Sequence, residues 1–265
     1  MATPKALVLR SAGTNCDRET EFALVQAGFQ AERVHLFGVM ESPALLGDYQ
    51  FLLLPGGFSY GDDVAAGKIF ANQLLHRLAG PLNEFVAAGK CVLGICNGFQ
   101  VMIKSGLLPG GEVDPAKAHN DATLAWNDSG QFVDRWIRLR SDSDKCVFLP
   151  AGEVVELPIA HGEGKFVPRD DAVLADLRAA GQVALRYVDA DGKTAGEGGS
   201  PGSNPNGSVD DIAGICDPTG RVMGLMPHPE RFVDITHHPR WTRGHVRRAD
   251  GRLFFDRALE YLKQA

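Results

Sequence analysis

The sequence contains 265 residues, of which 44% are hydrophobic and 23% are charged. A chain of this length and composition can bury a sizeable core, which excludes disordered, collagenous and coiled-coil proteins. The formal net charge of −6 argues against general nucleic-acid or membrane-surface binding, because either would need a basic face. Glycine is frequent, with 31 residues and no repeat, which indicates many tight turns or close backbone approaches.

Cysteine usage indicates the compartment. The five cysteines are odd in number and sparse, and no two form a C-x-x-C pair; they are Cys16, Cys91, Cys96, Cys146 and Cys216. This argues against a disulfide scaffold and favours a reducing cytosol. The sequence shows no signal-peptide core and no run of about 18 apolar residues. We therefore expect a soluble cytoplasmic protein without a membrane segment.

The first hundred residues alternate between predicted strands and helices. Acidic residues after Asp17 and a closing Gly28 favour a helix over 17–28, with Asp17 as its cap. The other predicted helices are residues 64–78, 81–88 and a segment from Cys96 to near Gly106, and the predicted strands are 5–11, 31–37, 50–54 and 90–95. This order implies a parallel sheet with helices on both faces. Ligands bind such sheets at the carboxyl ends of the strands.

The second half of the chain predicts antiparallel additions. Residues 109–125 are polar and are expected to form a surface loop or insertion, and 194–208 form a second loop. Further strands are predicted at 131–140, 153–160 and 182–188, a hairpin at 211–226, and helices at 170–180 and 252–264. We predict an α/β fold with a central, mostly parallel sheet flanked by helices, forming a single domain over 1–265.

A candidate nucleophile lies in the segment Gly94-Ile95-Cys96-Asn97-Gly98, between a buried strand and a helix. This arrangement is typical of a nucleophile elbow with cysteine in place of serine, and the flanking glycines permit a sharp turn. The helix N-terminus would lower the pKa of the Cys96 thiol. The Asn97 amide could donate to an oxyanion. The alternative is a buried core cysteine, which is how we interpret Cys91.

A candidate base lies in Met226-Pro227-His228-Pro229-Glu230, just after an apolar strand. Two prolines stiffen the backbone around His228. Glu230 could accept from the imidazole and fix its tautomer, which would complete a Cys-His-Glu triad. The alternative is a proline-rich turn with a surface histidine.

These motifs resemble a known family. Gly94–Gln100 together with His228–Glu230 look like the class I, triad-type glutamine amidotransferases. Four further motifs narrow the resemblance to the glutaminase subunits of phosphoribosylformylglycinamidine synthase; they are NCDRE at 15–19, PGGFSYGD at 55–62, AHGEGKF at 160–166 and NPNGS at 204–208. The motifs are distributed over nearly the whole chain.

The resemblance implies a role for each triad residue. Cys96 would attack the side-chain amide of glutamine to give a thioester and ammonia. His228 would activate the thiol and protonate the leaving ammonia, and Glu230 would orient His228. The backbone amides of Gly57 and Asn97 would form the oxyanion hole, where removing a donor typically costs 10²–10³ in rate.

The same resemblance implies substrate-binding residues. Gln100 would help to hold the substrate glutamine, and Phe58 and the turn at 58–62 would line the same pocket. His161 and Glu163 could approach that pocket or the interface with a synthetase subunit, or could only shape an unusual loop. Cys16 also matches the family, and we interpret it as structural.

Cofactors and partners follow from the resemblance and from one missing motif. The sequence contains no G-x-x-x-x-G-K-[ST] phosphate loop. We therefore expect no cofactor on this chain, with ATP and magnesium on a large synthetase subunit that converts formylglycinamide ribonucleotide in purine biosynthesis. A small accessory subunit is also implied. We expect no metal, because the histidines lack paired ligand spacing; they are His228, His237, His238 and His245.

The sequence leaves the role of two segments undecided and allows two alternative functions. Residues 109–125 and 235–250 resemble additions found in longer family members, and the basic 235–250 segment could bind a partner or be a solvated face. One rival function is a stand-alone cysteine hydrolase, such as a γ-glutamyl hydrolase or an amidase. The other is a non-catalytic regulatory or scaffolding subunit with the same fold.

Overall fold

Nine strands form one mixed sheet in the computed structural model, which describes residues 3–114, 121–200 and 202–264. Two further strands form a separate ribbon. In chain order the strands are β1 Lys5–Arg10, β2 Gln30–His35, β3 Phe51–Leu54, β4 Cys91–Ile95, β5 Ala122–Ala125, β6 Val133–Ser141, β7 Val154–His161, β8 Lys165–Pro168, β9 Val183–Val188, β10 Ile212–Cys216 and β11 Val222–Leu225.

The large sheet has a parallel half and an antiparallel half. Its order is β2-β1-β3-β4-β11-β10-β9-β6-β7. The strands from β2 to β11 in this order are parallel, and the remaining pairs are antiparallel. β3, β4 and β11 are buried along their whole length, as expected for strands covered on both faces. Because β11 pairs in parallel with β4, the segments that follow these two strands emerge at the same edge.

Helices cover both faces of this sheet. They are α1 Asp17–Ala27, α2 Leu36–Glu41, α3 Lys68–Gln73, α4 Ala79–Ala87, α5 Asn97–Lys104, α6 Leu107–Gly110, α7 Asp171–Ala179 and α8 Arg252–Gln264. A π-helical turn, Leu74–Leu78, joins α3 to α4. α1 ends at Gly28, whose left-handed φ of 107° closes the helix. α5 is buried at every residue, so it lies in the core and positions the residues at its N-terminus.

The predicted α/β architecture is confirmed, including the parallel first half and the hairpin formed by β10 and β11. Some boundaries differ from the prediction. Residue 36 begins α2 instead of continuing a strand, and the third helix begins at residue 68 instead of 64. Cys16 occupies the N-cap position of α1. Asp17 follows it and pairs with Arg33 at 3.3 Å.

The prediction of an irregular loop at 109–125 was wrong at its C-terminal end. Residues Ala122–Ala125 form β5, which pairs with the distant β8 in an antiparallel ribbon. This pairing is non-local, so no pattern within the segment itself specifies it. Residues 115–120 lie outside the described part of the chain. Within the described residues, no helix combines the length and apolar character needed to cross a membrane.

Two glycines next to Cys96 are required by close packing. A Cβ at Gly98 would lie 1.8 Å from the carbonyl oxygen of Leu54, and one at Gly94 would lie 2.2 Å from Met102 Sδ. Neither glycine has a positive φ; the left-handed residue in this turn is Cys96 itself, with φ 51°. The glycines therefore let α5 approach β3 and β4 closely, and the sharp turn is made by the cysteine.

We predict that Gly98→Ala lowers the free energy of unfolding by about 1–3 kcal/mol, because the new methyl group must displace the backbone of β3. Equilibrium unfolding in urea measures this change. Gly47→Ala is the matched control, since a Cβ there meets no atom within 4 Å. Equal stability of the two variants would contradict the packing role of Gly98.

Candidate active site

Cys96 occupies a strained turn between β4 and α5. Its backbone has φ 51° and ψ −105°, a conformation that costs a non-glycine residue about 1–3 kcal/mol and is typical of functional sites. Two backbone hydrogen bonds hold the turn: Cys96 N–H donates to Leu225 O at 2.8 Å, and Gln100 N–H donates to Cys96 O at 3.1 Å. The side chain borders a cavity of about 380 Å³. The fold therefore presents the sulfur to a space that a small molecule could occupy.

His228 and Glu230 follow β11 and form a buried pair. His228 Nδ1 and Glu230 Oε1 are 2.6 Å apart, and each residue is 1% exposed. The His228 amide donates to Pro158 O at 2.9 Å, which fixes the turn against β7. With Nδ1–H donating to the carboxylate, Nε2 is left as the reactive nitrogen. That Nε2 makes no hydrogen bond within the described residues.

The electrostatic surroundings favour a protonated His228. Burial alone would lower the pKa of the imidazole, but interactions with Glu230 and Cys96 outweigh it and hold the pKa well above its usual value. The role of His228 as the base for Cys96 stays a prediction.

Cys16 is a second thiol at the triad, although the sequence suggested only a structural role. Its Sγ accepts a hydrogen bond from Arg231 Nη2 at 3.1 Å. The ligand atoms of Cys16, His228 and Glu230 lie within 4.8 Å of one another, and such a set can bind zinc. The Arg231 guanidinium beside the sulfur disfavours a second cation there, and the short His228–Glu230 hydrogen bond already engages two of the ligands. The cluster fits a role in holding the imidazole better than a metal site.

Two backbone amides are placed to serve as oxyanion donors. Gly57 borders the cavity with φ 143°, and a Cβ there would lie 2.7 Å from Asn15 N, so only glycine fits. The neighbouring amides of Phe58 and Cys16 bond across this turn, while the Gly57 amide has no partner among the described residues. The Asn97 amide begins α5 directly after Cys96. The oxyanion role of both amides stays a prediction.

The side chains of Asn97 and Gln100 connect the two loops beside the cavity. Asn97 Oδ1 accepts from Ser59 N at 3.2 Å, and its Nδ2 donates to Gln100 Oε1 at 2.9 Å. Gln100 Nε2 then donates to Glu163 O at 2.6 Å. Both ends of the Gln100 amide are therefore engaged with protein groups. Gln100 is placed to hold the Glu163 loop in position.

His161 lies in the cavity wall as a neutral imidazole. Burial and the nearby charge of His228 lower its pKa to about 4. Its Nδ1 bonds to Asn127 Oδ1 at 3.0 Å, while its Nε2 is buried and unpartnered among the described residues. Asn127 Oδ1 also accepts from Gly164 N at 3.2 Å, so it acts as an acceptor and Nδ1 carries the proton. His161 Nε2 is thus a free acceptor.

Aromatic and acidic side chains surround the opening of the cavity. Phe58, Trp126 and Phe132 border it and are 49%, 65% and 55% exposed. Asp62 and Glu163 also border it, and burial raises the pKa of Asp62. The cavity thus offers two carboxyl groups that could contact an amino group, and an apolar rim.

Six of the nine residues predicted from the sequence border this cavity. Those that border it directly are Gly57, Phe58, Cys96, Gln100, His161 and Glu163, and the other three, Asn97, His228 and Glu230, lie next to Cys96 or form the buried pair. Asp62 also borders the cavity and lies in the turn at 58–62, which the sequence placed beside the same pocket. Sequence reasoning missed Asn127, Trp126 and Phe132, which follow from the packing of loops distant in sequence.

Comparison with known proteins identifies close relatives. A sequence model of the CobB/CobQ-like glutamine amidotransferase domain matches residues 3–262. The chain is 41% identical to a protein of Dehalococcoides mccartyi named phosphoribosylformylglycinamidine synthase subunit PurQ, over the full length of both. It is 44% identical to the protein of that name from Archaeoglobus fulgidus, covering 98% of this chain and 97% of the relative.

Comparison with solved structures also identifies a glutamine amidotransferase fold. The chain matches a chain of PurLQS from Thermotoga maritima with a TM-score of 0.74 and 34% identity, covering 98% of this chain and 100% of that one. A glutamine amidotransferase from Thermotoga maritima matches with a TM-score of 0.52 and 17% identity, covering 100% and 94%. That second likeness supports the fold alone.

We predict that Cys96→Ala lowers the pKa of His228, because a negative charge that favours the imidazolium is removed while burial still opposes it. Glu230→Gln should lower this pKa more than Cys96→Ala does, because the charge interaction with Glu230 raises the pKa of His228 more than the interaction with Cys96. Titration of ¹³C-labelled histidine by NMR measures both changes. Cys146→Ala is the control and should leave the His228 titration unaltered. An unchanged His228 pKa in Cys96→Ala would exclude the ion pair.

Proposed function

We propose that this chain releases ammonia from L-glutamine. It belongs to the CobB/CobQ-like glutamine amidotransferase family, among the PurQ subunits of phosphoribosylformylglycinamidine synthase, and the proposal rests on that membership. The observation that carries the proposal is the arrangement of Cys96, His228 and Glu230 at one edge of the sheet, beside a cavity of about 380 Å³. The whole chain would act as one glutaminase domain.

In the first step, the Cys96 thiolate attacks the side-chain amide carbon of glutamine. A carbon–sulfur bond forms, and the carbonyl oxygen becomes an oxyanion. The amides of Gly57 and Asn97 would donate to that oxyanion, and such preorganised donors stabilise a transition state by about 3–4 kcal/mol each. The free Gly57 amide and the position of Asn97 directly after Cys96 support these roles.

In the second step, protonated His228 gives its proton to the amide nitrogen. The carbon–nitrogen bond breaks, ammonia leaves, and a γ-glutamyl thioester remains on Cys96. His228 Nε2 then removes a proton from water, which attacks the thioester and releases glutamate and the thiolate. Glu230, 2.6 Å from Nδ1, keeps the ring oriented and stabilises its charge in both half-reactions.

The substrate's α-amino group would meet the acidic residues that border the cavity. Glu163 and Asp62 supply carboxyl groups there, and the neutral His161 supplies an acceptor at Nε2. Gln100 would fix the Glu163 loop through its bond to Glu163 O. We propose that glutamine is recognised by Glu163, Asp62 and His161, with Gln100 and Asn97 as positioning residues.

The ammonia would pass to a synthetase subunit that converts formylglycinamide ribonucleotide to formylglycinamidine ribonucleotide. The relatives named as synthase subunits support this partner, and the PurLQS assembly supports an additional small subunit. ATP and magnesium would bind the synthetase. The exposed rim of Phe58, Trp126 and Phe132 is suited to be covered by that partner. The five unpaired cysteines support a cytoplasmic location.

We predict that a glutamine-mimicking electrophile labels Cys96 alone. Cys96 borders the cavity and pairs with His228, whereas the other four cysteines do not border it. Mass spectrometry of the digested protein locates the label. Cys16 is the stringent comparison, because it also lies near His228; labelling of Cys16, or labelling that persists in Cys96→Ala, would overturn the assignment of the nucleophile.

We predict low glutaminase activity for the isolated chain and a large increase in the complex with the synthetase and accessory subunits. Coupled detection of glutamate measures the activity in both states. Cys96→Ala should lower it by at least about 10³-fold in the complex, while ammonia-dependent synthesis by the complex continues. Full activity of the isolated chain would favour a stand-alone hydrolase, and full glutamine-dependent synthesis with Cys96→Ala would favour a non-catalytic subunit.

A further inference from the structure

A second cavity of about 620 Å³ lies between β7 and the basic 235–250 segment. It shares no lining residue with the cavity beside Cys96. Two carboxylates border it, those of Glu156 and Asp250. Five arginines border it as well, in a chain whose net charge is negative: Arg138, Arg240, Arg243, Arg247 and Arg248. Its size is that of a site for a small molecule.

Ion pairs neutralise only part of this positive charge. Arg240 bonds to Glu156 at 3.1 Å, and Arg248 bonds to Asp250 at 2.6 Å and also to Glu153. The Arg240–Glu156 bond attaches the segment to β7, and the bond of Arg248 to Glu153 attaches it to the residue before that strand. Arg243 and Arg247 are exposed and form no ion pair within the described residues. The cavity therefore presents two cations with unused donors.

A buried donor at the cavity wall points to the same kind of ligand. His238 is 2% exposed, and its ring contacts Trp136 and Phe232, with centroids 4.4 and 5.6 Å away. Its Nδ1 accepts a hydrogen bond from Arg240 N at 3.1 Å, which leaves the N–H of the ring on Nε2. That Nε2 has no hydrogen-bond partner within the described residues, and Glu156 Oε2 is 3.8 Å away.

We propose that this cavity, named the arginine pocket, binds a small phosphorylated molecule. Unpaired guanidinium groups and a buried N–H are all donors, so the ligand must supply several anionic acceptors, and arginine forks match phosphate oxygens well. A phosphate group would accept from Arg243, Arg247 and His238 Nε2. The site is separate from the proposed glutaminase cavity, so it can be tested without turnover of glutamine.

Isothermal titration calorimetry with pyrophosphate, inorganic phosphate and ATP tests the arginine pocket. We expect saturable binding at one site per chain, weakened at least about tenfold in the double variant Arg243→Gln/Arg247→Gln. The control Arg18→Gln/Arg77→Gln removes the same charge from exposed arginines outside the pocket and should bind like wild type. If ATP binds more tightly than pyrophosphate, the ligand of the arginine pocket is a nucleotide. If the two bind equally, the pocket recognises only the phosphate groups.

Three outcomes would overturn the proposal. One is no saturable binding of any of the three probes to the wild-type chain. The second is binding that the double variant leaves unchanged, or that the control variant weakens equally. The third is tighter binding of a hexaglutamate peptide than of any phosphate probe, which would assign the surface to an acidic protein segment. Circular dichroism and glutaminase activity in the complex establish that the variants are folded.

Discussion

The parallel pairing of β4 with β11 is the constraint on which the active site depends. The two strands align Val92 with Val222 and Ile95 with Leu225, and the Cys96 amide bonds to Leu225 O at 2.8 Å. Cys96 comes directly after the end of β4, and His228 comes three residues after the end of β11. The proposed nucleophile and the proposed base are separated by more than a hundred residues, and backbone hydrogen bonds alone bring them to one edge of the sheet.

The proposed chemistry then depends on the burial of His228 and Glu230 as a pair. His228 and Glu230 are almost fully enclosed, and a single buried charge there would be costly. Burial lowers the pKa of the His228 imidazole, but interactions with Glu230 and Cys96 raise it by more, so the ring is favoured in its protonated form. Arg231 donates to Cys16 Sγ at 3.1 Å and so extends this group of interacting side chains toward α1.

The arginine pocket lies close to the segments that carry His228 and Glu230. Glu156 borders that pocket, and Pro158, two residues further along β7, holds the backbone of His228. Phe232 borders it two residues after Glu230. The proposed ligand would therefore contact the segments that support the triad, although it would share no residue with the glutaminase cavity.

Local signals in the sequence determined much of this protein: the buried strands, the elbow at Cys96, the His228–Glu230 turn and the glycine-rich turn at Gly57. Each signal lies within a few residues of chain, and the resemblance of these motifs to a family added their roles. Only the tertiary structure decided the rest. The pairing of β5 with β8, the contact of Asn127 with His161, and the approach of Cys16 to the imidazole all join segments distant in sequence. Such contacts depend on the register of strands and on which surfaces can be buried together, and no local pattern encodes either.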